Sequence, residues 1–357
     1  MVVNGRNDLA SSPVMPATRS HPANPGQPRW GIVLAGGDGA RMRSLISYWL
    51  GEDRPKQYCT FVGHRSMFEH TIDRACSVVS EDHVVTVIGR DHRKFLDEST
   101  DKKPTGLLLE QPRNLGTAPG VLLATAFVLA EDPAATVVLL PSDHFVHPES
   151  RFCDHVNRAF ELAEKHTDML ILVAAIPDRA ETEYGWIDPS GSQMDARRTL
   201  PHGPTKVKHF REKPNVSEAH GLLQQGSLWS TMVVAVKALT LWSLARQFLP
   251  EMTYRFEAFL AVLRAVREGR IGAQYQAAAL MRLYEELPAA DFSKDILQRV
   301  SHLSMVLPMD GVDWCDWGHP QRVTETLARL GQRPIFESER LGSAHAPAIA
   351  GNRGHLI

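Results

Sequence analysis

The chain has 357 residues, and 39 Lys and Arg against 41 Asp and Glu give a formal net charge of −2 at pH 7. That balance lacks the basic excess of a nucleic-acid binder, and 43% hydrophobic with 22% charged residues excludes wholesale disorder or a fibrous repeat. Cys59, Cys76, Cys153 and Cys315 are scattered without a C-x-x-C pair, which excludes a zinc ribbon, argues against a disulfide scaffold and points to a reducing cytoplasm.

Residues 1–28 are rich in Pro, Ser and Asn and read as a disordered leader, not a secretory signal. Short runs rich in Val, Ile and Leu follow at 30–35, 84–88, 107–109, 136–140 and 169–175. Each is bounded by polar or turn residues, as in strands buried on both faces of a parallel sheet. Ser66 and Glu69 form a capping box that starts a helix. Residues 117–130 and 152–164 have the length of crossover helices, and the apolar run at 121–130 falls far short of the ~20 residues that span a bilayer. Alternating strands and helices predict an α/β fold with a doubly wound, mixed but mostly parallel sheet.

After residue 175 shorter strands are expected at 184–188, 206–210 and 229–236, forming a smaller sub-sheet. Met252, Phe256, Phe259, Leu260 and Leu263 recur at helical spacing, and a last strand is expected at 304–307. The expected organisation is one domain over 29–330, divided at 175, with a tail at 331–357 in which no pattern is visible beyond Pro334.

The strongest local signal follows the first strand: Leu34-Ala35-Gly36-Gly37-Asp38-Gly39-Ala40-Arg41. Glycines at a strand's C-terminal end let backbone N–H groups approach phosphate oxygens. A P-loop is excluded because no Gly-Lys-Ser/Thr follows. A dinucleotide fingerprint is excluded because Met42 occupies the third glycine position. Arg54-Pro55-Lys56-Gln57 then places a lysine after a rigid X-Pro step.

Together these two motifs resemble the sugar-phosphate nucleotidyltransferase family, and the resemblance extends from about Trp30 to Arg329. Ser44 stands where that family commonly has proline, and the gap between the motifs is long. The resemblance implies a Rossmann-like, GT-A-like fold and transfer of a nucleotidyl group to a sugar 1-phosphate. Leu34, Ala35, Gly36, Gly37, Gly39 and Arg41 would hold the triphosphate, with Arg41, Lys56 and Asp143 catalytic. Gln111, Gly116 and Thr117, in Gln111-Pro112-Arg113-Asn114-Leu115-Gly116-Thr117, match the base-recognition segment. A Gln amide offers a donor and an acceptor to a base, and Thr117 doubles as a helix cap.

Asp143 in Pro141-Ser142-Asp143-His144 and Asp316 in Trp314-Cys315-Asp316-Trp317-Gly318 match the two acids that hold Mg²⁺. Gly185 in Tyr184-Gly185-Trp186-Ile187, Glu212 and Lys213 before Pro214, and Ser230 in Trp229-Ser230-Thr231 match the sugar-phosphate side. Ser230 replaces the family's usual Asn. The wording of the Asp143 and Thr117 motifs is closest to the mannose-1-phosphate guanylyltransferase branch, implying GTP and mannose 1-phosphate. Two alternatives stand beside it: a non-catalytic relative that binds a nucleotide sugar, and a transferase for another base or sugar. The expected partners are small molecules, with no nucleic acid and no membrane, and a homo-oligomer is left open.

Overall fold

The computed structural model describes residues 27–97, 105–190 and 203–337. The first strands are β1 (Arg29–Ala35), β2 (Val84–Ile88), β3 (Leu107–Glu110), β4 (Thr136–Pro141), β5 (Phe145–His147) and β6 (Leu170–Ala175). They are followed by β7 (Gly185–Pro189), β8 (Thr205–Glu212), β9 (Leu228–Lys237), β10 (Ser304–Met309) and β11 (Asp313–Cys315). The helices of the first half are α1 (Arg43–Leu50), α2 (Met67–Cys76), α3 (Arg93–Asp97), α4 (Thr117–Glu131) and α5 (Glu149–Lys165). Those of the second are α6 (Val216–Gln224), α7 (Ala238–Phe248), α8 (Pro250–Arg267), α9 (Gln274–Glu286), α10 (Phe292–Asp295) and α11 (Pro320–Arg329).

Nine strands form one sheet in the order β3-β2-β1-β4-β9-β6-β10-β8-β7. β1–β4 pair in parallel, as expected of the first half. β9 and β8 run against their neighbours, so the sheet is mixed but not mostly parallel as expected, its second half being chiefly antiparallel. The expected separate sub-sheet is therefore corrected. β7 hydrogen-bonds both β8 and β9, and β10 bridges β6 to β8, which knits the later strands into the first sheet. The separate piece is instead a short antiparallel ribbon of β5 and β11.

Alternation along the strands produces two cores. Ile32, Val85 and Val137 face α4, α7 and α8, whereas Val33, Val84 and Val138 face α2 and α5. The capping box is present, with Ser66 Oγ accepting from Glu69 N–H and Glu69 returning to the Ser66 N–H. α5 begins at Glu149, three residues before the expected start, directly after Pro148. A third cluster, including Met42, Phe61, Cys315, Trp317 and Phe336, packs α1 and α11 around the end of the ribbon.

Both expected domain edges move. Gln27 and Pro28 already belong to the body, Gln27 Oε1 accepting from Lys237 Nζ at 3.1 Å and the Pro28 carbonyl from Thr136 N–H at 2.9 Å, while residues 1–26 of the predicted leader lie outside the described residues. At the other end, residues 331–337 are docked and not a free tail. Ile335 N–H donates to Phe61 O at 2.9 Å, and Phe336 is 4% exposed against Trp49 and Phe61. The apolar pair Ile335-Phe336 supplies the reason; residues 338–357 lie outside the described set. Among the described residues no helix is long and apolar enough to cross a membrane.

Candidate active site

A cavity of about 370 Å³ opens beyond the C-terminal ends of β1 and β4, lined by Leu34, Gly36, Gly37, Gln111, Gly116 and Asp143 among others. This is where ligands bind in open α/β sheets, because loops at that end converge while helices cover the faces. Thr117 lines it too, but is no cap: it is the first residue of α4, after Gly116 at φ 93. Its hydroxyl turns outward and accepts from Phe292 N–H at 2.8 Å, tying α10 to α4. A second cavity, about 400 Å³, is lined by Phe61, Phe145 and Trp317 and shares only His144 with the first; it holds none of the expected site residues.

The glycine loop is held from beneath. Gln57 Nε2 donates to Ala35 O at 2.9 Å and to Gly37 O at 2.8 Å, and Tyr58 OH donates to Ala35 O at 3.1 Å. Ala35 is thus a buried anchor and not part of the cavity wall. Gly39 has φ 59, and a Cβ there would lie 2.9 Å from the Lys56 backbone nitrogen. Only glycine lets the loop close onto the lysine segment.

Lys56 is 3% exposed. Its Nζ donates to the Asp316 backbone carbonyl and pairs with Asp143 Oδ2 at 3.1 Å. A charge this buried persists only when paired. Burial opposes the Asp143 charge, but Lys56 and His144 together outweigh it and hold the carboxyl below its usual range. Asp316 is more heavily bonded. Its Oδ1 accepts from Tyr184 OH at 2.7 Å, Arg322 NH1 at 2.8 Å and Gly318 N–H at 2.9 Å. Its Oδ2 meets Arg41 NH2 at 3.1 Å. Burial works against this charge as well, and Lys56 and Arg322 together keep the carboxyl far below its usual range.

The ribbon explains how two acids so distant in sequence meet. Cys315 pairs with Phe145, which places Asp316 just after β11 beside Asp143 just before β5, and Phe145 stacks on Trp317 at 4.6 Å. Arg41 is engaged by Glu183 Oε2 at 2.7 Å as well as by Asp316, so it stands at the acid cluster and not in the cavity lining. Arg322, Glu181 and Glu183 were missed by the sequence reading. Arg322 NH2 lies 2.7 Å from both glutamates, and its guanidinium sits 4.9 Å over the Tyr184 ring.

The sugar-side residues converge in part. Strand register puts Gly185 opposite Glu212, and Lys213 Nζ lies 3.6 Å from Glu212 Oε1. Burial pushes the Glu212 carboxyl above its usual range, against the pull of Lys213. Tyr184, directly before Gly185, connects this group to Asp316. Ser230 follows Trp229, which pairs with Trp186, so the β7–β9 register brings it beside Gly185; β9 shifts register against β6 there, and Ser230 Oγ accepts from Met232 N–H at 3.4 Å.

Among the described residues no three His, Cys, Asp or Glu side chains form a metal cage. Magnesium rarely needs one, since it commonly takes one or two carboxylates and completes its shell with water and substrate phosphate. Asp143, with its side chain 40% exposed at the cavity, fits that role. Asp316 offers its less occupied Oδ2 edge.

The family model described as Nucleotidyl transferase matches residues 30–333. The chain belongs to that family. It is 30% identical over 223 residues to the xanthan biosynthesis protein XanB of Xanthomonas campestris pv. campestris, covering 61% of this chain and 44% of that protein. It is 26% identical over 320 residues to the mannose-1-phosphate guanylyltransferase RfbM of Salmonella typhimurium, covering 86% of this chain and 60% of that one. The chain therefore spans roughly half the length of these relatives. In fold it resembles a structure titled mannose-1-phosphate geranyltransferase, from Thermus thermophilus, with TM-score 0.68, 24% identity, and 84% and 78% of the two chains covered. The match to nucleotidyltransferases agrees with the family expected from the glycine and lysine motifs.

Proposed function

We propose that the protein transfers a nucleotidyl group from a nucleoside triphosphate, with GTP preferred, to a sugar 1-phosphate, with mannose 1-phosphate as acceptor. The observation that carries this reading is Lys56, buried against the glycine loop and held between Asp143, which lines the cavity, and the Asp316 backbone carbonyl. A phosphate oxygen of the sugar 1-phosphate attacks the α-phosphorus in line, and the bond to pyrophosphate breaks. No covalent protein intermediate is needed, so catalysis consists of positioning and charge neutralisation.

In this reading the backbone from Gly36 to Gly39 receives the triphosphate, and Lys56 with Arg41 offsets the negative charge that grows on the leaving group. Arg41 exchanges Glu183 and Asp316 for phosphate oxygens as the nucleotide enters. Gly185, Glu212 and Lys213 hold the sugar phosphate, Glu212 accepting hydroxyls and Lys213 meeting the phosphate. Mg²⁺, held by Asp143 and the Oδ2 edge of Asp316, would supply further charge neutralisation between the nucleotide and sugar phosphates. The names of relatives such as RfbM support the guanylyl and mannosyl assignments.

The test is pyrophosphate release with Mg²⁺ across a panel of nucleoside triphosphates and sugar 1-phosphates. The expected result is the highest kcat/KM for GTP with mannose 1-phosphate. A higher value for UTP or dTTP removes the guanylyl assignment, and release from no pair favours a non-catalytic nucleotide-sugar binder.

A further inference from the structure

Gln111 follows β3 and is 5% exposed, its backbone N–H donating to Ile88 O at 3.0 Å. Its amide lies in a slot between two glycines. A Cβ on Gly36 would come within 2.5 Å of its Nε2, and one on Gly120 within 3.2 Å of its Oε1. A buried amide held this closely has two orientations, differing in whether the cavity meets a donor or an acceptor.

In the structure α9 meets the Oε1 edge. Tyr284, 1% exposed, donates its hydroxyl to Gln111 Oε1 at 3.1 Å. Burial pushes the Tyr284 hydroxyl well above its usual range, so it stays protonated and has an O–H to give to Oε1. The same segment returns the grip: Arg113, two residues after Gln111, donates its Nε to the Tyr284 carbonyl at 2.8 Å and its NH2 to Glu285 O at 3.0 Å. Tyr284 therefore cannot shift along or away from Gln111 without breaking bonds at both ends. No described residue accepts from Gln111 Nε2, which lies on the Gly36 side of the amide at the cavity.

We propose that Tyr284 is a specificity-determining positioning residue, holding the Gln111 amide so that its N–H edge meets the base and selects bases with a carbonyl at purine C6 or pyrimidine C4 over bases with an amino group at that position. Guanine O6 and uracil or thymine O4 accept from that edge. Adenine N6 and cytosine N4 set donor against donor, leaving both unpaired. The inference rests on the nucleotidyl-transfer reading and adds to it a residue from a helix 173 positions away in the chain.

Equilibrium titration of GTP, UTP, ATP and CTP against wild type, Tyr284→Phe and Gln111→Glu tests it, with pyrophosphate release measured beside it. Wild type is expected to bind the two carbonyl bases at least about 10-fold more tightly than the two amino bases. Tyr284→Phe keeps the ring and its packing, so the melting temperature should stay close to wild type while the ratio falls to about 2-fold. Gln111→Glu replaces the donor by an acceptor and should reverse the preference. An unchanged ratio in Tyr284→Phe, or equal affinity for all four bases in wild type, overturns the inference while leaving nucleotidyl transfer intact. Failure of every nucleotide to bind removes the functional reading and this inference with it.

Discussion

Lys56 donates to the Asp316 carbonyl and pairs with Asp143 at 3.1 Å, so Lys56→Met leaves a carbonyl and a carboxylate without their donor. The side chain of Asp143 is 40% exposed and partly recovers water, so the stability cost should be about 1–3 kcal/mol. Turnover should fall much further, about 100- to 1,000-fold, because the lost charge acts on the transition state. Thermal melting and pyrophosphate release read the two effects separately. The two acids should also separate. Asp143→Asn takes the countercharge from the buried Lys56 but leaves an amide oxygen to accept from it, and should abolish turnover at a smaller stability cost than the change at Asp316. Asp316→Asn leaves Arg41, Arg322 and Lys56 facing a neutral amide and should cost about 3 kcal/mol of stability in addition to activity. Equal melting temperatures for the two variants would contradict the bonding described for Asp316.

The elements differ in how openly the sequence declares them. Buried strands such as Val84–Ile88 are continuous β-branched runs, and their ends agree with the structure to within a residue or two. β5 and β11 have three residues each, too few for any period to show, yet they bring Asp143 to Asp316. The two acids were legible from their motifs, while the ribbon that joins them was not. Arg322 was invisible for another reason: on its own it is a surface-helix arginine, and only the fold carries it to Glu183, 139 positions away. Thr117 was misread because the residue type suits a cap, whereas the geometry gives the cap position to Gly116. Residues 331–337 held the opposite lesson, since two apolar residues in an unpatterned stretch were enough to dock it. Phe336→Ala should therefore cost about 3 kcal/mol, visible as a lowered melting temperature. A change of under about 0.5 kcal/mol would return the segment to the status of a tail.

At the scale of the molecule, stability should follow its ion-paired, partly or fully buried carboxyls. Asp143, Asp316 and Glu149 all lie below their usual range, burial being outweighed in each case by paired cations or donors. A depressed carboxyl contributes stability that is complete above its unfolded value, near pH 4, and is lost as pH falls through the folded one. The melting temperature should thus hold through neutral pH and drop steeply in the acid range. Glu212 runs the other way. Its raised value means that the folded chain binds the proton more tightly, so its contribution falls as pH rises from about 4 through the folded value. Glu212→Gln should raise the melting temperature at pH 7, give no gain below pH 4, and raise the KM for the sugar phosphate. A variant less stable than wild type at pH 7 would show that the carboxylate is better accommodated than its burial implies.

The long reach of Lys56 to Asp316, 260 positions along the chain, has a consequence for synthesis. A ribosome releases the glycine loop, Lys56 and Gln111 early, and the residues that complete them, Tyr284 and Asp316, late. Until then the loop is present while Lys56 lacks the Asp316 carbonyl and the Gln111 amide lacks the Tyr284 hydroxyl. On the proposed reading, competence is thereby reserved for chains synthesised past the ribbon, and nascent fragments carry the glycine loop without its late-made partners.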